Sequence, residues 1–525
     1  MIREEIKKLI QKAANIRDEI KVEYPTDSAM GDYATNVAFL LGKSINKNPQ
    51  DIAKMLAEKI SSDKKAQKMF EKVEVAGAGF INFKLSKQFL SGYARSRAAR
   101  QKHINLGKNR KLNIEFLSAN PTGKFQVGNG RIGFYGDVLG NIFKLAGYKV
   151  TREYYINNAK SSNQIQELGR TALGLGDKYL TPYVKGKIGS LKLNVAGSDP
   201  ATFGEAGYLL AQEIQKDNQE FLEKIGIHYN VWTREEEDLA QGGLIKKTLA
   251  LLKKKNLVYE QDGAQWLMTT KFQDDKDKVI VRSSGEHGYY LADIAYHWGK
   301  IKRGYKVIID IFGADHQGHV GPIKVAMSVL GYKGKFNVLV SQLVRAKGGG
   351  KLSKRAGNIV ELEDLIDEVG VDAARFFYLM KSLDTQMEFD MDLAKEQSAK
   401  NPVYYVQYAH ARMASILRNA PLSLRRRGVG GEVVSELEHS TELALIKMFL
   451  RWPEVIEDTA NDYQVHRVTA YARELATVFN QFYRDCKVIS DDKKLTEARL
   501  GLVVETQKTL QEVLWTLGIS APEKM

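Results

Sequence analysis

Asn120-Pro-Thr-Gly-Lys-Phe-Gln-Val-Gly-Asn-Gly-Arg131 is the stretch on which the fold turns. Ahead of it, Leu112-Asn-Ile-Glu-Phe-Leu117 alternates as a strand does. Behind it, apolar residues recur at helical spacing from Arg131 to Leu145, until Gly147 stops the run. The whole reads as a strand–turn–helix junction. Gly128 and Gly130 permit close backbone approach, and the helix that follows offers free N–H groups and the positive end of its dipole. An anion, most simply a phosphate, suits that turn, although packing alone also accounts for glycine in many such turns.

A second stretch adds cations. Gly348-Gly-Gly-Lys-Leu-Ser-Lys-Arg-Ala-Gly-Asn358 is a glycine run carrying Lys351 and Lys354, three residues apart. Placed beside the first stretch, it would hold positive charge over the same phosphates. Together the two resemble the signatures of a class I aminoacyl-tRNA synthetase. The surrounding text narrows the resemblance to the arginyl-tRNA synthetases: Glu115-Phe-Leu-Ser-Ala-Asn-Pro-Thr-Gly123, Thr151-Arg-Glu-Tyr-Tyr-Ile-Asn157, Leu291-Ala-Asp-Ile-Ala-Tyr-His297, Gly313-Ala-Asp-His316, Lys351-Leu-Ser-Lys-Arg-Ala-Gly-Asn358 and Asn401-Pro-Val-Tyr-Tyr-Val-Gln-Tyr-Ala-His-Ala-Arg412, in that family's order. The likeness spans nearly the whole chain. It departs at one place: the family's first signature has histidine at both ends of its four-residue core, where this chain has Gln126-Val-Gly-Asn129.

Bulk properties agree with a soluble, multidomain protein. The chain has 525 residues, 43% of them hydrophobic, enough for two to four cores. A single cysteine, Cys486, excludes an intrachain disulfide and suggests a reducing compartment such as the cytoplasm. No run approaches a membrane span, and Met1-Ile-Arg-Glu-Glu5 lacks the apolar core of a signal peptide. The net charge of +15 favours a polyanionic partner. Residues 91–200 hold 18 Lys+Arg against 6 Asp+Glu, a surplus of 12, whereas beyond 401 acids and bases nearly cancel. That surplus is either a solvated basic surface or an electrostatic footprint for RNA.

Four regions follow. Residues 1–88 form a small α+β module, with helical periodicity over Ile2–Arg17 and Ile52–Ile60 and a strand at Phe80-Ile-Asn-Phe-Lys84. A basic helical connector spans 89–110. From 111 to 390, strand-like and helix-like runs alternate, among them Val307-Ile-Ile-Asp-Ile-Phe312 and Val338–Val344, as in a Rossmann-type doubly wound parallel sheet. The stretch from about 155 to 280 is polar and irregular and reads as insertions. From 391 to 525 an all-α bundle is expected, with helices over Tyr404–Leu417, Glu442–Ile456, His466–Tyr483 and Glu497–Leu517, the first two joined by a loop at Arg425–Gly431.

The resemblance implies ATP-dependent ligation of L-arginine to its cognate tRNA through arginyl-AMP. It needs no prosthetic group or dedicated metal site, Mg²⁺ arriving with ATP, and the chain is expected to be a monomer. By that resemblance Gln126, Asn129, Lys351 and Lys354 carry catalysis, and Thr122, Gly123, Gly128, Gly130, Gly313, Asp315, Leu352 and Ser353 line the ATP site. The two amides donate hydrogen bonds but carry no charge. Arginine demands acidic and planar acceptors for its guanidinium fork. Asp293, with Tyr289 one helical turn earlier, fits that need, and Glu115, Ser118, Asn120 and His316 complete the implied pocket. Phe80 and Asn82 are implied contacts for the tRNA corner, and Tyr404, Tyr408 and Arg412 for the anticodon. Of the four residues Tyr404, Tyr405, Tyr408 and Arg412, two should pack inward. Two other readings stay open: a catalytically impaired relative that only binds tRNA, and a small-molecule ligase or nucleotidyltransferase on the same fold.

Overall fold

The computed structural model describes residues 1–25, 27–95, 104–191, 193, 197, 199–347, 360–421 and 437–525. Lys351, Leu352, Ser353 and Lys354, and the loop at Arg425–Gly431, lie outside the described residues.

Five parallel strands form the central sheet: β1 (Lys111–Phe116), β2 (Lys149–Ile156), β3 (Val231–Arg234), β4 (Val307–Gly313) and β5 (Lys335–Ser341). Their spatial order is β5-β4-β1-β2-β3. The chain starts in the middle and winds outward twice, so the order reverses between β1 and β4, and a crevice opens there at the strands' carboxyl ends. Leu112, Ile114 and Phe116 of β1 and Ile308, Ile309 and Ile311 of β4 are buried, because helices cover both faces.

Helix α1 (Val127–Leu145) follows β1 directly, with Gln126 as its N-cap. It lies close on the strand because Gly136 has no side chain: a Cβ there would stand 2.2 Å from Phe116 Cγ. Gly147, at φ +83°, releases the chain into β2. Helix α2 (Tyr289–Lys302) precedes β4.

The stretch 155–280 is not irregular. Helices Asn163–Ala172, Pro182–Ser190 and Pro200–Lys224 enclose a core of their own around Ile165, Leu168, Val184 and Leu210. The first and third cross at Gly169 and Gly207, where a Cβ would come within 1.8 Å of the opposing backbone carbonyl. The same stretch contributes β3, the edge of the central sheet itself. A four-residue, half-buried edge strand carries no apolar run for sequence patterning to detect.

The N-terminal module pairs its strands antiparallel in the order Val22–Glu23, Tyr33–Thr35, Phe80–Leu85, Phe70–Ala76. Its first helix ends at Ala14 rather than Arg17, because Asn15 turns left-handed at φ 54°. The C-terminal bundle holds Pro402–Asn419, Ser440–Asp462, His466–Asp485 and Lys493–Leu517, in place of the four periodic runs. The N-terminal module rests on this bundle. Arg3 N–H donates to Glu454 Oε1 at 2.8 Å, its Nη2 to Asp458 Oδ2 at 3.0 Å, and Lys447 meets Asp32 at 2.6 Å. No helix among the described residues is long and apolar enough to cross a membrane.

Candidate active site

The crevice has a glycine-bearing wall and an acidic floor. The wall is the turn into α1. Gln126 is exposed, and its N–H donates to Asn129 Oδ1 at 2.8 Å, half of a capping box. Asn129 thereby spends its oxygen on the helix and keeps its amide N–H groups to donate. The two glycines differ. A Cβ on Gly128 meets nothing within 4 Å among the described residues. A Cβ on Gly130 would stand 2.7 Å from Leu362 and 3.1 Å from Tyr378, so Gly130 serves packing. Thr122 N–H donates to Asn120 O at 2.8 Å, and Gly123 O accepts from Asn218 at 3.1 Å, closing the turn on itself and on the long insertion helix.

Both flanks of the lysine-bearing stretch reach this wall or its neighbourhood. On one side Lys347 pairs with Asp390 at 2.6 Å. On the other, Val127 N–H donates to Val360 O at 3.2 Å, Leu362 N–H donates to Phe125 O at 2.8 Å, and Gln126 forms a bridge with Glu361. Lys124 reinforces the join, meeting Glu361 at 3.3 Å and Glu363 at 2.8 Å. The two signatures, more than 200 residues apart, are thus laced together at the described edge of the second.

The floor is a row of buried carboxylates. The register of the sheet sets Glu153 of β2, Glu115 of β1 and Asp310 of β4 side by side. Three adjacent buried acids demand compensation, and α2 supplies it. Lys300 Nζ, fully buried, meets Glu115 Oε2 at 2.6 Å and Asp310 Oδ1 at 2.8 Å. His297 Nε2 meets Asp310 Oδ2 at 2.9 Å, and Arg303 holds Glu153 at 2.8 Å. Burial opposes ionisation of Asp310, but Lys300 and His297 hold its carboxyl well below the usual range. Glu115 also accepts from Ser118 Oγ at 2.9 Å, so each of its oxygens has one protein partner and retains a lone pair to accept from a ligand.

Above this floor lie two acids with no ion-pair partner among the described residues. Asp293, on the face of α2 below Tyr289, is pushed well above the carboxylate range by burial and by the charges of Glu235, Glu115 and Asp310. Glu235 is 4% exposed, and burial pushes its carboxyl up to about 7, Glu236 adding to the effect while Tyr155 opposes it. The rings of Tyr155 and Tyr296 lie 4.6 Å apart, tilted by 43°, beside Glu235 and Glu115. Glu235 Oε2, Tyr155 Oη and Tyr296 Oη are buried, and none closes a hydrogen bond of normal geometry. Polar atoms left open and desolvated acids together mark a site shaped for a cation. Glu235 opens a π-helical turn, Glu235–Gln241, at the carboxyl end of β3. Sequence reasoning missed it, because the stretch 155–280 read as insertion. The signal was there in Val231-Trp-Thr-Arg234 followed at once by four acids.

Other expected residues are brought to the rim. Asn120 Oδ1 accepts from Asn157 Nδ2 at 3.2 Å, and Asn157 Oδ1 is buried and unpartnered. Tyr289 is 48% exposed, its ring 5.6 Å from His319. Gly313, Asp315 and His316 follow β4, with His316 3.5 Å from Asp315 and both exposed.

In the N-terminal module Phe80 is 46% exposed and braced edge-on by Phe39, and Asn82 is buried between Tyr33–Thr35 and Phe70–Ala76. In the bundle none of Tyr404, Tyr405, Tyr408 and Arg412 is buried. Tyr404 stacks on Tyr408 at 6.2 Å, and the Arg412 guanidinium lies 4.7 Å from Tyr408 and 5.2 Å from Tyr483. Stacking on one another, instead of inward packing, orders this surface ladder, which Tyr483 extends.

Comparison with known proteins places this geometry. Residues 1–85 match the arginyl tRNA synthetase N terminal domain, 189–413 the catalytic domain of tRNA synthetases class I (R), and 406–525 the DALR anticodon binding domain. The arginine–tRNA ligase of Moorella thermoacetica is 41% identical over 96% of this chain and 93% of its own length. That of Staphylococcus aureus is 38% identical over 99% and 98%. The fold matches the arginyl-tRNA synthetase of Thermus thermophilus with a TM-score of 0.78 over the whole of both chains, at 22% identity. With three domain matches in order and relatives of this identity over nearly the full length, the chain belongs to the arginyl-tRNA synthetase family.

Proposed function

We infer that this chain is an arginine–tRNA ligase that joins L-arginine to its cognate tRNA at the expense of ATP. The observation that carries the reading is the pair of half-buried Asp293 and buried Glu235, which have no ion-pair partner among the described residues. A guanidinium supplies the missing charge and forks between planar acceptors. The arginine carboxylate then attacks the α-phosphorus of ATP, pyrophosphate leaves, and the arginyl group passes to the terminal ribose of the tRNA. No side chain acts as nucleophile. The protein positions reactants and stabilises charge on phosphate oxygens.

In this reading Gln126 and Asn129 donate to phosphate oxygens from the N-terminus of α1, whose dipole favours the developing charge. Lys351 and Lys354 supply cations to the pyrophosphate side. Mg²⁺ enters with ATP. Tyr289 and His316 flank the bound amino acid, and Lys300 keeps Glu115 and Asp310 neutralised beneath it. Phe80 meets the tRNA corner, and Tyr404, Tyr408 and Arg412 meet the anticodon. The enzyme works as a cytoplasmic monomer.

The test is charging of arginine tRNA by the purified chain with ATP and Mg²⁺. Formation of arginyl-tRNA, with lysine and citrulline refused, is expected. Binding of tRNA without charging would favour the impaired relative. Rescue of such an inactive chain by histidine at positions 126 and 129 together would identify the altered signature as the cause.

A further inference from the structure

Several side chains hold helix α1, which carries the nucleotide turn, among them Arg152, Tyr378 and, from behind, Arg375, which joins it to two other helix ends. Arg375 lies in the helix Val371–Leu379 and is 1% exposed. Its Nη1 donates to Asp137 Oδ2 of α1 at 2.8 Å and to Leu517 O at 3.3 Å. Its Nη2 donates to Ile225 O and Gly226 O at 2.9 Å each. Three separate elements therefore meet on one guanidinium: α1, the end of the insertion helix Pro200–Lys224, and the end of the last bundle helix Lys493–Leu517.

The carbonyls belong to helix ends, where no intrahelical N–H reaches them and the dipole is negative. Glycine makes the arrangement possible. Gly226 and Gly518 turn left-handed at φ +74° and +68°, and a Cβ on Gly518 would stand 2.2 Å from Arg375 Nη1. One turn further along α1, Asn141 Nδ2 donates to Thr516 O at 3.0 Å, doubling the hold on the last helix. Asp137 is eight residues beyond Asn129, about 12 Å along the helix, so Arg375 cannot touch the reacting atoms.

We propose that Arg375 is a positioning residue of the ligation reaction: by pinning α1 to two helix ends, it sets the height and tilt of the turn Gln126–Asn129 over the arginine pocket. The same link ties that turn to the bundle carrying Tyr408 and Arg412. A lysine would keep a charge for Asp137 but, being a single point, could not serve both helix ends. The proposal rests on the arginine–tRNA ligase reading, so the wild-type chain is first assayed for charging.

Arg375→Lys, Gly518→Ala and the double variant are then measured by arginine-dependent pyrophosphate exchange with tRNA present, below the melting temperature of each. The expected result is a fall in kcat of at least about tenfold in each single variant, within the roughly 10²-fold that a 1 Å misplacement costs. The arginine KM should stay within about twofold, because the acidic floor is untouched. The double variant should be little worse than the worse single one, since both cut one link. Should Arg375→Lys not fold, Asn141→Asp, which removes the donor to Thr516 O but keeps the acceptor for Arg152, carries the same test with a smaller loss of kcat. An active wild type whose variants melt earlier but keep their kcat, or whose losses multiply, overturns the positioning role and leaves the ligase reading intact.

Discussion

Glu235 is held in a state that a cation relieves. Burial raises its carboxyl from 4.5 to about 7. The folded protein therefore holds this proton more tightly than the unfolded chain does. Its contribution to stability is full below pH 4.5 and is lost as pH rises through about 7. Guanidinium binding selects the ionised form, so arginine affinity should rise between roughly pH 6 and 8 with release of a proton. Calorimetry in two buffers of different ionisation enthalpy measures that release, and Glu235→Gln should lower it, leaving only the share that Asp293 contributes. Proton-free binding by the wild type would remove Glu235 from the pocket. Gln126 supports a second expectation. As one neutral donor among several, its replacement by alanine should lower turnover about 10²–10³-fold, with arginine affinity nearly unchanged; an equal loss in arginine affinity would place its role elsewhere. Asp293 and Tyr289 were legible because they fall one helical turn apart inside a recognisable motif. Lys300 was not, because nothing in a sequence says that three acids on three strands fall in one row.

At the scale of elements, two glycines of α1 separate packing from chemistry. Gly136→Ala would drive a methyl into the Phe116 ring. It should cost about 1–3 kcal/mol of stability, read as an earlier melt. Gly128→Ala meets no atom of the described residues within 4 Å. It should leave the melt unchanged and raise the ATP KM, the reverse pattern; unchanged ATP dependence would mean that phosphate does not lie against this turn. In the bundle, Tyr408→Ala opens the Tyr404–Arg412–Tyr483 ladder. If bases stack there, tRNA affinity should drop by about 1–3 kcal/mol without change in arginine affinity. The bundle helices and β1 were readable from periodicity, since each buries one continuous apolar set. Strand β3 was not, because an edge strand of four half-buried residues leaves no periodic trace.

For the molecule as a whole, charge and connectivity matter most. The surplus of 12 over residues 91–200 surrounds β1, α1 and the insertion helices. If it tracks tRNA, affinity should fall steeply and log-linearly with salt through counterion release. A salt-independent affinity, or equal binding of unrelated duplex DNA, would count against that footprint. The family signatures made the broad layout readable in advance, but how the modules dock was invisible, since it depends on pairs far apart in the chain. One such pair reaches beyond structure. Arg3 is 5% exposed in the finished protein, its backbone bound to Glu454 Oε1 and its guanidinium to Asp458. On a ribosome adding roughly 5–20 residues per second, Glu454 is made on the order of half a minute after Arg3. For that interval Arg3 has neither acid to pair with, and the module's final docking waits on the last quarter of translation.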